Sequence, residues 1–164
     1  MSQGRETPEG LFLPPVGMLV DATRFQEAAT QLQGTTVVAY ENLPVVPYLL
    51  GHVIELGLKA YLCAEGRTHA QLKGLGHNLR ACLDAAKAAG LGAVIQVSAD
   101  DEAAIDLLNE MYWRKELEYA TPLPAGGRLV SLPPPAALLA LSSRLVSGLR
   151  PHCLAANRRM RGSA

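Results

Sequence analysis

The segment 47–64 constrains the fold most, because its pattern predicts a helix that is apolar around almost its whole circumference. At about 100° per residue, His52, Glu55 and Lys59 lie along one narrow line, which Cys63 extends. A helix with so little polar surface is normally buried. We therefore expect this second helix to lie at the centre of a bundle or in an interface shared with a second subunit.

The polar line on this helix has two interpretations. Glu55 and Lys59 form an i, i+4 pair in the favoured order, which is worth only about 0.2–0.5 kcal/mol when both side chains are exposed. One interpretation is a thin solvated edge with an incidental ion pair. If the line is covered, its charges must be paired, since an unpaired buried charge is strongly unfavourable. We expect partial cover, with His52 and His77 close by.

Four further helical segments surround this one in the sequence. The first covers about 22–33, with Asp21 as its N-cap, and another begins after Asn78 as its N-cap. A third opens with a Ser98–Asp101 capping box, and the last runs from the prolines 133–135 to about Leu149. The pattern predicts an all-α, up-and-down bundle of four to five helices with one long Pro/Gly-rich loop before the last helix. We expect an N-terminal extension (1–20), a single domain (21–153) and a basic flexible tail (154–164).

Composition excludes several classes of protein. The three cysteines lie far apart and form no CxxC, so we expect neither a disulfide framework nor a zinc knuckle, and a reduced cytoplasmic setting. The four histidines show no HxxxH spacing, and the chain has no P-loop and no GxGxxG. We therefore expect no metal and no cofactor. Prolines or polar residues interrupt the apolar runs at both ends of the chain, so we expect no membrane segment.

The balanced net charge hides an asymmetry along the chain. Residues 1–118 hold nine basic and all 15 acidic residues, a net charge of −6, whereas residues 119–164 hold six arginines and no acid. Such a division is typical of contact with phosphate or with an acidic partner. Self-neutralisation with a solvated tail is the alternative. The short cluster of Arg158, Arg159 and Arg161 is open to the same two interpretations, a disordered end or a contact with RNA or an acidic protein.

His77 directly precedes the helix that Asn78 is expected to cap. One interpretation is a loop imidazole that packs or caps locally. The other is an anion site, formed by His77 with the free backbone N–H groups of the first helical turn.

Two sequence stretches, LLGHVIELGLKAYLCAEG and GLGHNLRACLDAAKAAGL, together with the later LLNEMYWRKELEYA, resemble the HEPN family (higher eukaryotes and prokaryotes nucleotide-binding) over roughly residues 45–120. The resemblance implies a helical bundle, usually dimeric, with a role in RNA metabolism. Many members are ribonucleases or toxins, and others are non-catalytic partners of nucleotidyltransferases. The matched positions are Glu55, Lys59, His77 and Asn78, and the resemblance implies structural roles for them.

The ribonuclease members use an R-x(4–6)-H pattern, and this chain has none. Arg144 and His152 come nearest, with seven residues between them, and Glu118 stands where relatives tend to place an arginine. We therefore expect a non-catalytic, RNA- or nucleotide-associated binding or regulatory component, in a toxin–antitoxin-type setting with a nucleotidyltransferase. The alternatives are a divergent metal-independent ribonuclease that joins Arg114 or Arg144 to His152 across a homodimer, and a structural module that binds another protein through the second helix.

Overall fold

The computed structural model describes residues 13–33, 45–118 and 132–162. Within these ranges the chain forms α-helices and no strand, which confirms the all-α bundle. A 3-10 turn, Leu91–Ala93, lies between the fourth and fifth of the described helices. The helices are α1 (Pro15–Gln33), α2 (Val45–Ala64), α3 (His69–Gly74), α4 (Leu79–Ala88), α5 (Ala99–Tyr112) and α6 (Pro135–Gly162).

The central position of α2 is confirmed, because this helix packs against α1, α4 and α6. Fourteen of its 20 residues are buried. By length and composition α2 would be able to cross a membrane, but 67% of its apolar window is covered by the fold, as expected for the core helix of a bundle. Since its own chain covers α2, the apolar circumference gives no reason to invoke a second subunit. The module that binds another protein through the second helix also stays a prediction, with six of the 20 residues of α2 not buried. The homodimer stays a prediction that rests on the resemblance.

Local capping signals agree with the sequence at two helices. The amide of Ala81 donates to Asn78 Oδ1 over 3.0 Å, so Asn78 caps α4 as predicted. Ser98 and Asp101 form the predicted capping box of α5. The short α3 was not predicted, because six residues are too few to show a helical period. Its own capping box, Thr68 with Gln71, was the available signal.

The first helix begins earlier than the sequence pattern indicated. It starts at Pro15, where proline fits the first helical position, and Met18 and Leu19 are buried in the core. The predicted N-cap was wrong, since Asp21 lies inside α1 and pairs with Arg24. Residues 15–20 of the expected N-terminal extension (1–20) therefore belong to α1. Residues 1–12 lie outside the described ranges.

The last helix is longer than expected. It continues past Leu149, through Pro151, to Gly162, so the expected flexible tail is wrong for residues 154–162. A proline inside a helix costs about 3 kcal/mol or more. Burial of Cys153 and Ala156 beyond it explains why the helix continues, since that packing offsets the cost. Most of the expected Pro/Gly-rich loop, residues 119–131, lies outside the described residues.

Two glycines of α2 illustrate how closely the bundle packs. The ring of Tyr112 lies directly on the backbone of Gly51, where a Cβ atom would come 2.5 Å from the ring. Gly57 faces α6, and a Cβ there would meet Leu145 at an ordinary 3.7 Å. The glycine at position 51 thus allows α5 to bring Tyr112 against α2.

We predict opposite effects for alanine at these two positions. Gly51→Ala should destabilise the protein, because the overlap with Tyr112 costs about 1–3 kcal/mol, partly offset by better helix propensity. Gly57→Ala, the matched control in the same helix, should be neutral or stabilise by up to about 1 kcal/mol. Urea unfolding of both variants measures the difference. Equal stability of the two variants would contradict the close approach of Tyr112 to α2.

Candidate functional site

The predicted polar line of α2 is covered, and its centre is the carboxylate of Glu55, which is only 5% exposed. Lys59 Nζ donates to Oε1 over 2.6 Å. His77 Nδ1 lies 3.0 Å from Oε2, and the Tyr112 hydroxyl donates to the same oxygen over 2.8 Å. The interpretation as a solvated edge is therefore wrong. We call Glu55, Lys59, His52, His77 and Tyr112 the Glu55 cluster.

Lys59 joins this cluster to the connection between α3 and α4. Its ammonium donates a second hydrogen bond to the carbonyl of Gly76 over 2.7 Å, and its side chain is 14% exposed. Gly76 has a φ of +56°, a left-handed conformation that favours glycine. The turn thereby presents its carbonyl to Lys59 and the next side chain, His77, to Glu55.

His52 contacts the cluster through Tyr112. Its Nδ1 lies 2.7 Å from the tyrosine hydroxyl and 4.0 Å from Glu55 Oε2. The hydroxyl has one proton and donates it to Glu55, so Nδ1 of His52 is the donor to the hydroxyl oxygen. The imidazole stacks on Phe25 of α1 at a centroid distance of 5.0 Å, and Tyr48 meets it edge-on at 4.6 Å.

Burial and pairing set the protonation states of these groups. Burial lowers the pKa of His52, with Glu55 partly opposing it, which favours the neutral imidazole. Burial and the neighbouring Glu55 raise the pKa of Tyr112 far above its usual range, so the phenol keeps the proton that it donates. Burial alone would raise the pKa of Glu55. Hydrogen bonds from Lys59, His77 and Tyr112 outweigh that effect and lower its pKa, so the carboxylate is ionised.

A second polar pair fixes the start of α4 beside the cluster. Asn109 of α5 accepts the amide of Leu79 over 2.8 Å and donates to Asn78 Oδ1 over 3.2 Å. Asn78 in turn holds the amide of Ala81. Two N–H groups of the first turn therefore already have partners inside the chain. This does not support the interpretation of His77 as part of an anion site and favours local packing.

The three weak catalytic candidates are not brought together within the described chain. Arg144 pairs with Asp101 in an open cleft of about 650 Å³ between α5 and α6. His152 Nε2 lies 2.7 Å from Glu65 Oε1. Arg144 and His152 are eight residues apart on α6, about 12 Å along the helix axis. Arg114 lies over the exposed ring of Trp113 at 5.7 Å.

Sequence reasoning missed Tyr112 and Asn109 as members of the site. The helical spacing of Ile105, Leu108 and Tyr112 in the sequence predicts a buried stripe, and all three are buried, but the Tyr112 hydroxyl is also the group that links His52 to Glu55. A hydroxyl on an otherwise apolar stripe was the available signal, because a buried hydroxyl needs a partner.

Chemically, the cluster joins three parts of the fold through one carboxylate. Hydrogen bonds from its own chain fill three of the roughly four acceptor sites of the Glu55 carboxylate, and its burial leaves a substrate little access to it, so the geometry does not favour a general base. Among the described residues, no group of three or more His, Cys, Asp or Glu side chains is arranged to hold a metal ion. The cluster therefore holds α2, the turn before α4 and the end of α5 together, and we call this structural role a brace.

Comparisons with protein-family models, with curated proteins and with solved structures found no match to this chain. The resemblance to the HEPN family therefore rests on the residues and their order alone.

We predict that the Glu55–Lys59 pair is strongly coupled. Glu55→Ala and Lys59→Ala should each cost about 3–5 kcal/mol, because each leaves a buried charge or its donors without a partner. The double variant should cost clearly less than the sum. Lys87→Ala and Glu102→Ala, which break the exposed pair between α4 and α5, are the matched control and should each cost less than about 1 kcal/mol. Single losses this small at Glu55 and Lys59 would contradict the brace.

Stability should fall in acid in two stages. The folded pKa of His52 lies below its ordinary value of 6.5, so its contribution is complete above about pH 6.5 and is lost as the pH falls from there through the folded pKa. The folded pKa of Glu55 also lies below its ordinary 4.5, so its contribution is lost at still lower pH. Lys59, His77 and Glu118 are the other charged or titratable groups that act on His52.

Unfolding free energies of the wild type and of His52→Gln between pH 8 and pH 5 test the first stage. The variant should lose less stability than the wild type over this interval, because glutamine takes up no proton. Identical slopes for the two proteins would show that His52 is not kept neutral by the fold.

Proposed function

We propose that the protein is a HEPN-like, non-catalytic binding or regulatory component that associates with RNA. The observation that carries the proposal is the charge of α6, which holds five arginines and no acidic residue along 28 residues. Arg150, Arg158 and Arg161 are exposed. A surface of this kind attracts phosphate without regard to sequence.

The geometry of the polar groups of the described chain supports a binding role over a catalytic one. The Glu55 cluster is occupied by its own partners. Arg144 and His152, the nearest substitute for the ribonuclease pattern, contact two different acids: Arg144 pairs with Asp101, and His152 with Glu65. Within the described part of the chain Arg144 and His152 do not meet, so the alternative that joins them requires a second copy of the chain. A nucleotidyltransferase partner and a toxin–antitoxin-type setting remain what the resemblance implies.

We predict that the purified protein binds RNA without cutting it. Fluorescence anisotropy with a labelled RNA in EDTA should give a dissociation constant in the range of about 10⁻⁴–10⁻⁶ M near physiological salt, as is usual for contacts to phosphate alone. The RNA should stay intact on a denaturing gel after prolonged incubation. Absence of binding even at low salt would contradict the proposal.

Arg144→Ala and His152→Ala are the variants that separate this proposal from the alternative. Metal-independent cleavage that is present in the wild type and lost in either variant would establish the ribonuclease and overturn the non-catalytic assignment. Cleavage that both variants retain and that further purification removes would come from a contaminating nuclease. Retained cleavage that stays with the purified protein would also overturn the non-catalytic assignment.

A further inference from the structure

Three of the five exposed arginines of α6 lie on one side of the helix. At about 100° per residue, Arg150, Leu154, Arg158 and Arg161 fall within a sector of about 80°, and all four are exposed. We call these four residues the α6 stripe. Ser147 lies in the same sector and continues the face towards the start of the helix.

The arginines of the α6 stripe carry charge that the described chain does not neutralise. Arg150, Arg158 and Arg161 form no ion pair with any described residue. Arg144, by contrast, is paired with Asp101 outside this sector. The three free guanidinium groups are thus available to a partner, and each has the fork geometry that suits a phosphate.

The spacing of the stripe suits a chain of phosphates. Arg150 and Arg158 are separated by about 12 Å along the helix, and Arg161 follows about 4–5 Å further on. With flexible side chains, three guanidinium groups along about 16 Å are able to follow the backbone of a few consecutive nucleotides.

The residue between the arginines indicates which kind of nucleic acid fits. Leu154 is 41% exposed in the middle of the stripe, where a duplex would present sugars, phosphates and the edges of paired bases but no open base face. A single strand also presents the faces of unstacked bases, against which an apolar side chain packs favourably. The stripe has no Asn, Gln, Asp or Glu side chain to pair with the edges of bases, and we assign its arginines to phosphates, which carry no sequence information.

From these observations we infer that the α6 stripe binds the phosphate backbone of single-stranded RNA, with Leu154 against an unstacked base and without sequence preference. This inference rests on the proposed function and adds to it the surface and the class of RNA.

The test compares two triple variants that remove equal charge. Arg150→Gln/Arg158→Gln/Arg161→Gln removes the three charges of the stripe, and Arg24→Gln/Arg67→Gln/Lys73→Gln removes three exposed cations from elsewhere. Binding to a labelled, unstructured single-stranded RNA is measured by anisotropy over a series of salt concentrations. Circular dichroism and thermal melts check that both variants keep the fold.

The stripe variant should bind on the order of 100-fold more weakly at 0.1 M salt, because each lost phosphate contact removes about 0.7 from the slope of log affinity against log salt. Its slope should therefore be about two units shallower than that of the wild type. The control should stay within about threefold of the wild type. Leu154→Ala should weaken binding several-fold, whereas Met160→Ala, which is equally exposed on another side of α6, should not.

The outcomes separate the inference from the function on which it rests. A wild type that binds no RNA overturns the proposed function, and with it the inference. Wild-type binding that the stripe variant retains leaves the function standing and overturns the surface. Tighter binding to a matched duplex, or a Leu154→Ala variant that binds normally, overturns the class of RNA. Stripe-dependent binding to vesicles with anionic lipid, without binding to RNA, would assign the surface to a membrane instead.

Discussion

A buried carboxylate in the middle of the most apolar helix is the constraint on which the rest of this structure depends. Glu55 is covered on every side, and an ionised carboxylate without partners would cost several kcal/mol in that position. The fold meets this requirement with donors from three places: Lys59 one turn further on α2, His77 from the turn before α4, and Tyr112 from the end of α5. The helices that surround α2 are therefore fixed by polar as well as apolar contacts.

Two glycines that are distant in the sequence serve the same need for donors around the Glu55 carboxylate. Gly51 has no side chain, so Tyr112 lies close enough to α2 to reach the carboxylate. Gly76 is left-handed, so one turn supplies both a carbonyl for Lys59 and the imidazole of His77. Because these groups serve one another, the most conspicuous polar residues of the chain act as a brace. The surface with unneutralised charge, α6, is where contact with a partner is expected.

Helices with a clear apolar period and capping residues were predictable from the sequence. The members of the site that share one helix were predictable as well. His52, Glu55 and Lys59 are three and four residues apart on α2, so their common line followed from helical geometry alone. Tyr112 was not predictable as a partner, because it is distant in the chain and the approach of α5 depends on tertiary packing. The continuation of α6 through Pro151 was missed for the same reason, since burial of Cys153 outweighs a local breaking signal.

The ionisation of Glu55 inside the fold is the central claim, and it can be observed directly. In protein labelled with ¹³C in its glutamates, the side-chain carboxyl resonance of Glu55 can be followed by NMR as the pH is lowered. A braced carboxylate should still be ionised at pH 4.5, where an ordinary glutamate is half protonated, and its resonance should shift only at lower pH. A Glu55 resonance that titrates at or above pH 4.5 in the folded protein would contradict the account.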